Sequence, residues 1–158
     1  MLKKASRQWP ALAAAGWAFI FAAMSFYWAA GGTLGSATIG EPIAGPALRR
    51  EPSMVAALWI TGGLKALAGI FALALVRPWG RRFSRRLLFG LAVGGSGSLL
   101  LYSIALLVQH GLMATGTIER AASLSASELR WHLLFWDPFW LLGGILFAAA
   151  AYEYGRDA

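Results

Sequence analysis

The chain has 158 residues, 58% of them hydrophobic and 13% charged, with a net charge of +7 and no cysteine. That balance excludes an ordinary soluble globule, in which about a quarter of residues are charged, and the absence of thiols excludes disulfide and thiolate chemistry. A nucleic-acid partner is not expected either: the cations sit in short clusters beside apolar runs, with no aromatic residues interleaved as a base-stacking platform.

Nearly uncharged stretches cover residues 9–30, 54–76, 87–108 and 133–154. Each has roughly the 20 residues that a helix needs to cross a hydrocarbon core. The first follows Lys3, Lys4 and Arg7 as a signal peptide would, but it exceeds the roughly 7–15 residues of such a core and three more spans follow, so it reads as a retained helix. Arg77, Arg81, Arg82, Arg85 and Arg86 lie between the second and third stretches, and Arg156 follows the fourth. The other two connections, 31–53 and 109–132, carry Arg49, Arg50, Arg120 and Arg130 offset by Glu41, Glu51, Glu119 and Glu128. By the positive-inside rule both termini are cytoplasmic and those two loops are outside. The expected architecture is an all-α, four-transmembrane-helix bundle, one membrane domain over 1–158. It would be a multi-pass protein of a bacterial inner membrane, touching anionic lipid through its arginines.

The first span ends at Tyr27 and Trp28, aromatic residues expected at headgroup depth, followed by Gly31 and Gly32. The loop to Ser53 contains Gly35, Gly40, Pro42, Gly45, Pro46 and Pro52, which favours turns over helix and predicts a loop that folds over the mouth of the bundle. Ser53 is placed to cap the second span. In that span Leu58, Thr61, Gly62, Lys65, Gly69 and Ala72 share one helical face. The face is small apart from Leu58 and Lys65, so it should point into the bundle. Lys65 is a cation near mid-membrane, and a charge there costs on the order of 3 kcal/mol or more without a partner or water.

In the third span Gly90-x-x-x-Gly94, with Gly95 and Gly97, predicts close helix packing. Ser98, Tyr102, Ala105 and Gln109 share a face further along. Counted at ~1.5 Å per residue, Ser98 lies level with Lys65, and Tyr102 and Thr61 lie one turn above. The second outer loop ends in Ser125-Ala-Ser-Glu128, the pattern of a capping box. Next comes Trp131-His-Leu-Leu-Phe-Trp-Asp-Pro-Phe-Trp140, where Pro138 should break or kink the helix and Asp137 should cap the segment after the break. Asp137, Leu141, Gly144, Ala148 and Ala151 share a face that points inward.

Lys65, Thr61, Ser98, Tyr102, Gln109 and Asp137, with Ser25, Trp136, Trp140 and Tyr27 nearby, thus form the candidate site. Tyr102 and Asp137 are the expected partners of Lys65, although Asp137 is ~10 Å away in counted depth. One reading is a hydrogen-bonded network that holds the helices in register. The other is a pocket open to the outer face that binds a small amphipathic or anionic ligand on Lys65. No triad, carboxylate pair or phosphate loop marks a catalyst, so an enzyme is the less expected class. His110 and His132 are expected to be polar residues at the outer rim, and neither a metal nor a cofactor is expected.

Tyr27-Trp-Ala-Ala-Gly-Gly32, Ala56-Ala-Leu-Trp-Ile-Thr-Gly-Gly-Leu-Lys65 and Trp131-His-Leu-Leu-Phe-Trp-Asp-Pro-Phe-Trp-Leu-Leu-Gly-Gly144 together resemble the bacterial membrane family called domain of unknown function 3995. The resemblance covers nearly the whole chain and implies a small four-helix membrane protein. It implies no activity and no site residues. A competing class is an accessory subunit, or a homo-oligomer, that packs against other membrane proteins through its glycine-rich helix faces.

Overall fold

Segments rich in alanine, leucine and aromatic residues bury their backbone polar groups most readily as helices. The computed structural model is all-helical over its described residues, which run from Leu2 to Arg156 for the backbone and from Gln8 to Arg156 for side chains. The side chains of Lys3, Lys4 and Arg7 lie outside that range. The helices are α1 (Leu2–Ala29), α2 (Glu41–Leu48), α3 (Pro52–Ala74), α4 (Arg85–Ala114), α5 (Ala126–Trp131) and α6 (Asp137–Arg156). A π turn over His132–Trp136 joins α5 to α6 in one helical run. Four segments are long and apolar enough to cross a membrane: Gln8–Ala29, Pro52–Ala74, Arg85–Ala114 and Ala126–Arg156.

Helix α1 packs on α3 and on α6, and α6 packs on α4. The order across the bundle is therefore α3, α1, α6, α4, and the two outer helices, α3 and α4, are not packed on each other. Half of the apolar window of α1 is buried, against 17% for α3 and for α4. Glycines make the close approaches. Gly62 and Gly69 of α3 lie under the rings of Phe26 and Phe19 of α1, Gly143 of α6 lies under Trp17, and Gly144 lies against Leu100 of α4. The core at the centre is aromatic: Trp17 and Phe21 from α1 meet Phe139, Trp140 and Phe147 from α6, with ring centroids 4.6–6.2 Å apart.

Several local expectations need correcting. A Cβ added at Gly90, Gly94, Gly95 or Gly97 would meet nothing within 4 Å, so this glycine face of α4 is not the one used for packing among the described residues. The loop after α1 is not all turn, since Glu41–Leu48 is helical with a proline in its first turn, where a missing N–H costs nothing. Pro52, not Ser53, opens α3, and Glu51 occupies the cap position. Pro138 does not break the last span. The turn before it widens, and the Asp137 N–H reaches the His132 carbonyl, which gives the proline ring room without ending the helix. Asp137 consequently sits inside a continuous helical run and caps nothing.

Other expectations hold. Ser125 Oγ accepts from the Glu128 N–H at 3.2 Å, and Glu128 Oε2 accepts from the Ser125 N–H at 2.6 Å, completing the capping box. The first loop does lie across one end of the bundle. Ile39 and Ala44 are buried in the core cluster with Trp28, Leu58 and Trp136, and the Trp136 indole N–H donates to Thr38 Oγ1 at 3.1 Å. Arg50 closes α1 by donating to the Ala29 carbonyl at 2.8 Å, one of the carbonyls a helix end leaves free. At the arginine-rich end, Arg85 donates to the Tyr154 carbonyl at 3.0 Å and ties α4 to the end of α6.

Candidate functional site

Because α3 and α4 stand apart, a groove of about 690 Å³ runs between them. Thr61, Lys65 and Phe71 lie on one wall, Gly95, Ser98 and Tyr102 on the other, and Trp17, Trp140 and Phe147 form the floor. Its surface is overwhelmingly apolar. The expected opening is at the loop end of the bundle. The groove opens instead along the flank of the helix array, beside the exposed Leu64, Leu67 and Leu91.

Lys65 is the one charged residue in this lining. Its half-buried ammonium donates to Ser25 Oγ at 2.7 Å and lies 3.7 Å from the Phe21 ring centroid and 5.9 Å from that of Trp140. Ser25 itself is 1% exposed. A hydroxyl and an aromatic face thus receive the charge, the latter contributing ~0.5–2 kcal/mol. No carboxylate among the described residues neutralises it.

Of the residues expected at the site, Thr61, Lys65, Ser98, Tyr102 and Trp140 line the groove, whereas Tyr27, Gln109, Trp136 and Asp137 do not. Tyr102 packs edge-on against Trp140 with centroids 5.3 Å apart, and the Thr61 hydroxyl donates back to the Leu58 carbonyl at 3.2 Å. Tyr27 is exposed and its hydroxyl accepts from the Leu34 N–H at 3.3 Å. Its neighbour Trp28, expected at an interface, is buried, donates to the Leu34 carbonyl at 2.9 Å and packs on Trp136. These aromatic residues hold the first loop in place. Gln109 is exposed on α4.

Neither expected partner of Lys65 binds it. The Asp137 carboxylate, fully buried, turns to α4, where its Oδ2 lies 2.7 Å from His110 Nδ1. The second oxygen, Oδ1, is 3.5 Å from His132 Nδ1. Near this end of the bundle His110 is buried, 8% exposed, and His132 is partly buried. This cluster escapes a reading of the sequence because α4 extends to Ala114, past the expected end at 108, and because the π turn changes the facing of His132. One signal is present in the chain. Ser96, Ser103 and His110, all buried, recur every seven residues and mark the true inner face of α4. Ser25, expected near the site, receives the ammonium, whereas Phe21, one turn away on α1, escapes the sequence reading.

The family model described as "Protein of unknown function (DUF3995)" matches residues 18–147. No curated protein and no solved structure matches the chain.

Proposed function

Because the chain belongs to the DUF3995 family, whose description names no activity, we propose a function from its own geometry: it binds a small amphipathic molecule with an anionic head in the groove between α3 and α4. The observation that carries this reading is Lys65, an ammonium without a carboxylate, set in a groove otherwise walled by hydrocarbon and aromatic rings. A head bearing negative charge would complete its coordination. The apolar walls between the levels of Leu91 and Tyr102, ~17 Å apart along α4, would take an aliphatic tail. The volume lies inside the ~300–1,000 Å³ range of small-molecule sites.

In the arrangement we propose, the four helices cross a bacterial inner membrane with both termini and the arginine-rich turn on the cytoplasmic side. The flank of the array would then face lipid, and the ligand would enter sideways from the bilayer.

The test compares two probes with the same chain and different heads, oleate and monoolein, by thermal unfolding of purified protein in detergent. Oleate is expected to stabilise the wild type and Lys65→Arg, by ~2.7 kcal/mol at a hundredfold excess over its dissociation constant, and to leave Lys65→Met unmoved. Equal stabilisation by both probes, or of both wild type and Lys65→Met, overturns the reading.

A second reading, an accessory subunit or homo-oligomer, is favoured by the empty surroundings of Gly90, Gly94 and Gly97 on α4, since small residues let helices approach closely. The chain has no cysteine, so a single Gly94→Cys reports on self-association. Rapid oxidative dimerisation in native membranes supports a homo-oligomer through this face, and none at all removes that version.

A further inference from the structure

The cluster at the loop end of the bundle supports a separate conclusion that does not depend on the groove. We propose that His110, His132 and Asp137 form a binding site for a first-row divalent transition-metal ion, which clamps α4 to the helical run of α5 and α6.

The ligand atoms of these three residues all lie within 4.8 Å of one another. Bonds of ~2.0–2.2 Å to imidazole nitrogen and carboxylate oxygen place tetrahedral donors ~3.3 Å apart. Small side-chain rotations therefore bring the set onto an ion. Two imidazoles and a carboxylate suit Zn²⁺ and its neighbours, and the lack of cysteine excludes a thiolate site.

A hydrogen bond between His110 and Asp137 would account for only part of the geometry. It explains the 2.7 Å contact of His110 Nδ1 with Asp137 Oδ2. It leaves His132 Nδ1 and Asp137 Oδ1 buried and without a hydrogen-bond partner, a state that costs the desolvation of each group. These two unpaired atoms face each other across 3.5 Å. The rings of His110 and His132 stand at 42° with centroids 4.6 Å apart, so their edges converge and they are not stacked face to face.

The backbone is shaped to the same end. In a regular α-helix residues five apart point about 140° away from each other, and His132 could not share a face with Asp137. The π turn that closes on the His132 carbonyl turns the two side chains to the same side, and such wide turns recur at functional sites. The His132 side chain is 20% exposed, which leaves a path for an ion and a position for solvent as fourth ligand. Binding at His110 Nδ1 would replace its bond to Asp137, the ring proton of a neutral imidazole moving to Nε2 as the other tautomer.

The test uses tag-free protein in detergent, stripped with a chelator and titrated with Co²⁺ followed by its visible spectrum and with Zn²⁺ by calorimetry. The expected result is one ion per chain and a rise in unfolding temperature with Zn²⁺. His132→Ala and His110→Gln should weaken Zn²⁺ by more than the roughly 10–100-fold that loss of an outer-shell partner costs. His132 is partly exposed, so its variant keeps the test informative if changes at the fully buried Asp137 prevent folding. Wild-type protein that binds Co²⁺ and Zn²⁺ no better than folded His132→Ala overturns the proposal.

Discussion

Replacing Gly143 with alanine should destabilise the protein, while the same replacement at Gly94 should not. A Cβ at Gly143 would overlap the six-membered ring of Trp17. That ring cannot move freely. Its indole N–H donates to the Phe139 carbonyl at 2.9 Å, and Phe21, Phe139, Trp140 and Phe147 surround it. Overpacking of this kind costs about 1–3 kcal/mol, and a strained or broken indole bond adds ~1 kcal/mol. Alanine's helix preference returns ~1 kcal/mol, so the net loss should be ~2 kcal/mol. At Gly94 nothing lies within 4 Å, and only the preference remains, a gain of up to ~1 kcal/mol. The two variants should therefore differ by ~3 kcal/mol. Equilibrium unfolding in detergent, read by tryptophan fluorescence and by circular dichroism, measures that difference directly. A Gly143→Ala protein as stable as wild type would refute the central place given to the α1–α6 contact. A Gly94→Ala protein that loses stability would show that its face is covered.

The remaining predictions concern single contacts. Lys65→Met should leave unliganded stability within ~1 kcal/mol of wild type, because losing the Ser25 bond and the Phe21 contact is offset by removing a charge from an apolar groove. Thermal unfolding without added amphiphile reads this, and a loss above ~3 kcal/mol would make the lysine structural. Gly80→Ala should cost ~2 kcal/mol or more, since its Cβ would overlap the Ala74 carbonyl, which is backbone and cannot rotate away. Proteolysis at the arginine-rich turn should accelerate in step with that loss. Ser125→Ala removes half of the capping box and should cost ~1 kcal/mol. Faster amide exchange confined to Ala126–Trp131 would register it.

Much of the helix layout was legible in the sequence because apolar length is a direct signal, and the faces through Leu58, Gly62 and Ala72 of α3 and through Gly144 and Ala151 of α6 are buried as periodicity requires. What periodicity cannot say is which neighbour a face meets. The glycines of α4 have the spacing of a packed seam, yet Gly62 and Gly69 of α3 and Gly143 of α6 serve that purpose, because they lie opposite large rings of α1. A short turn between α3 and α4 argues for adjacent helices, but the aromatic rings of α1 and α6 fill the centre and hold those two apart. By counting turns, the groove residues Lys65 and Ser98 could be placed level and Tyr102 one turn above them. The partner of Asp137 could not, since a π turn breaks the count at the point where it matters.

The placement of α1 and α6 at the centre sets an order of events during synthesis. Helices α1 and α3 leave the ribosome early and can pair at once. Helix α4 comes next, but its packing surface is on α6, which is made last. Until that helix arrives, the tryptophan and phenylalanine rings of α1 have no covering and α4 has no site to dock. Nascent chains arrested before Asp137 should therefore hold a protease-resistant α1–α3 pair and a loosely attached α4, and completion of the final helix, Asp137–Arg156, should close the whole structure in one step.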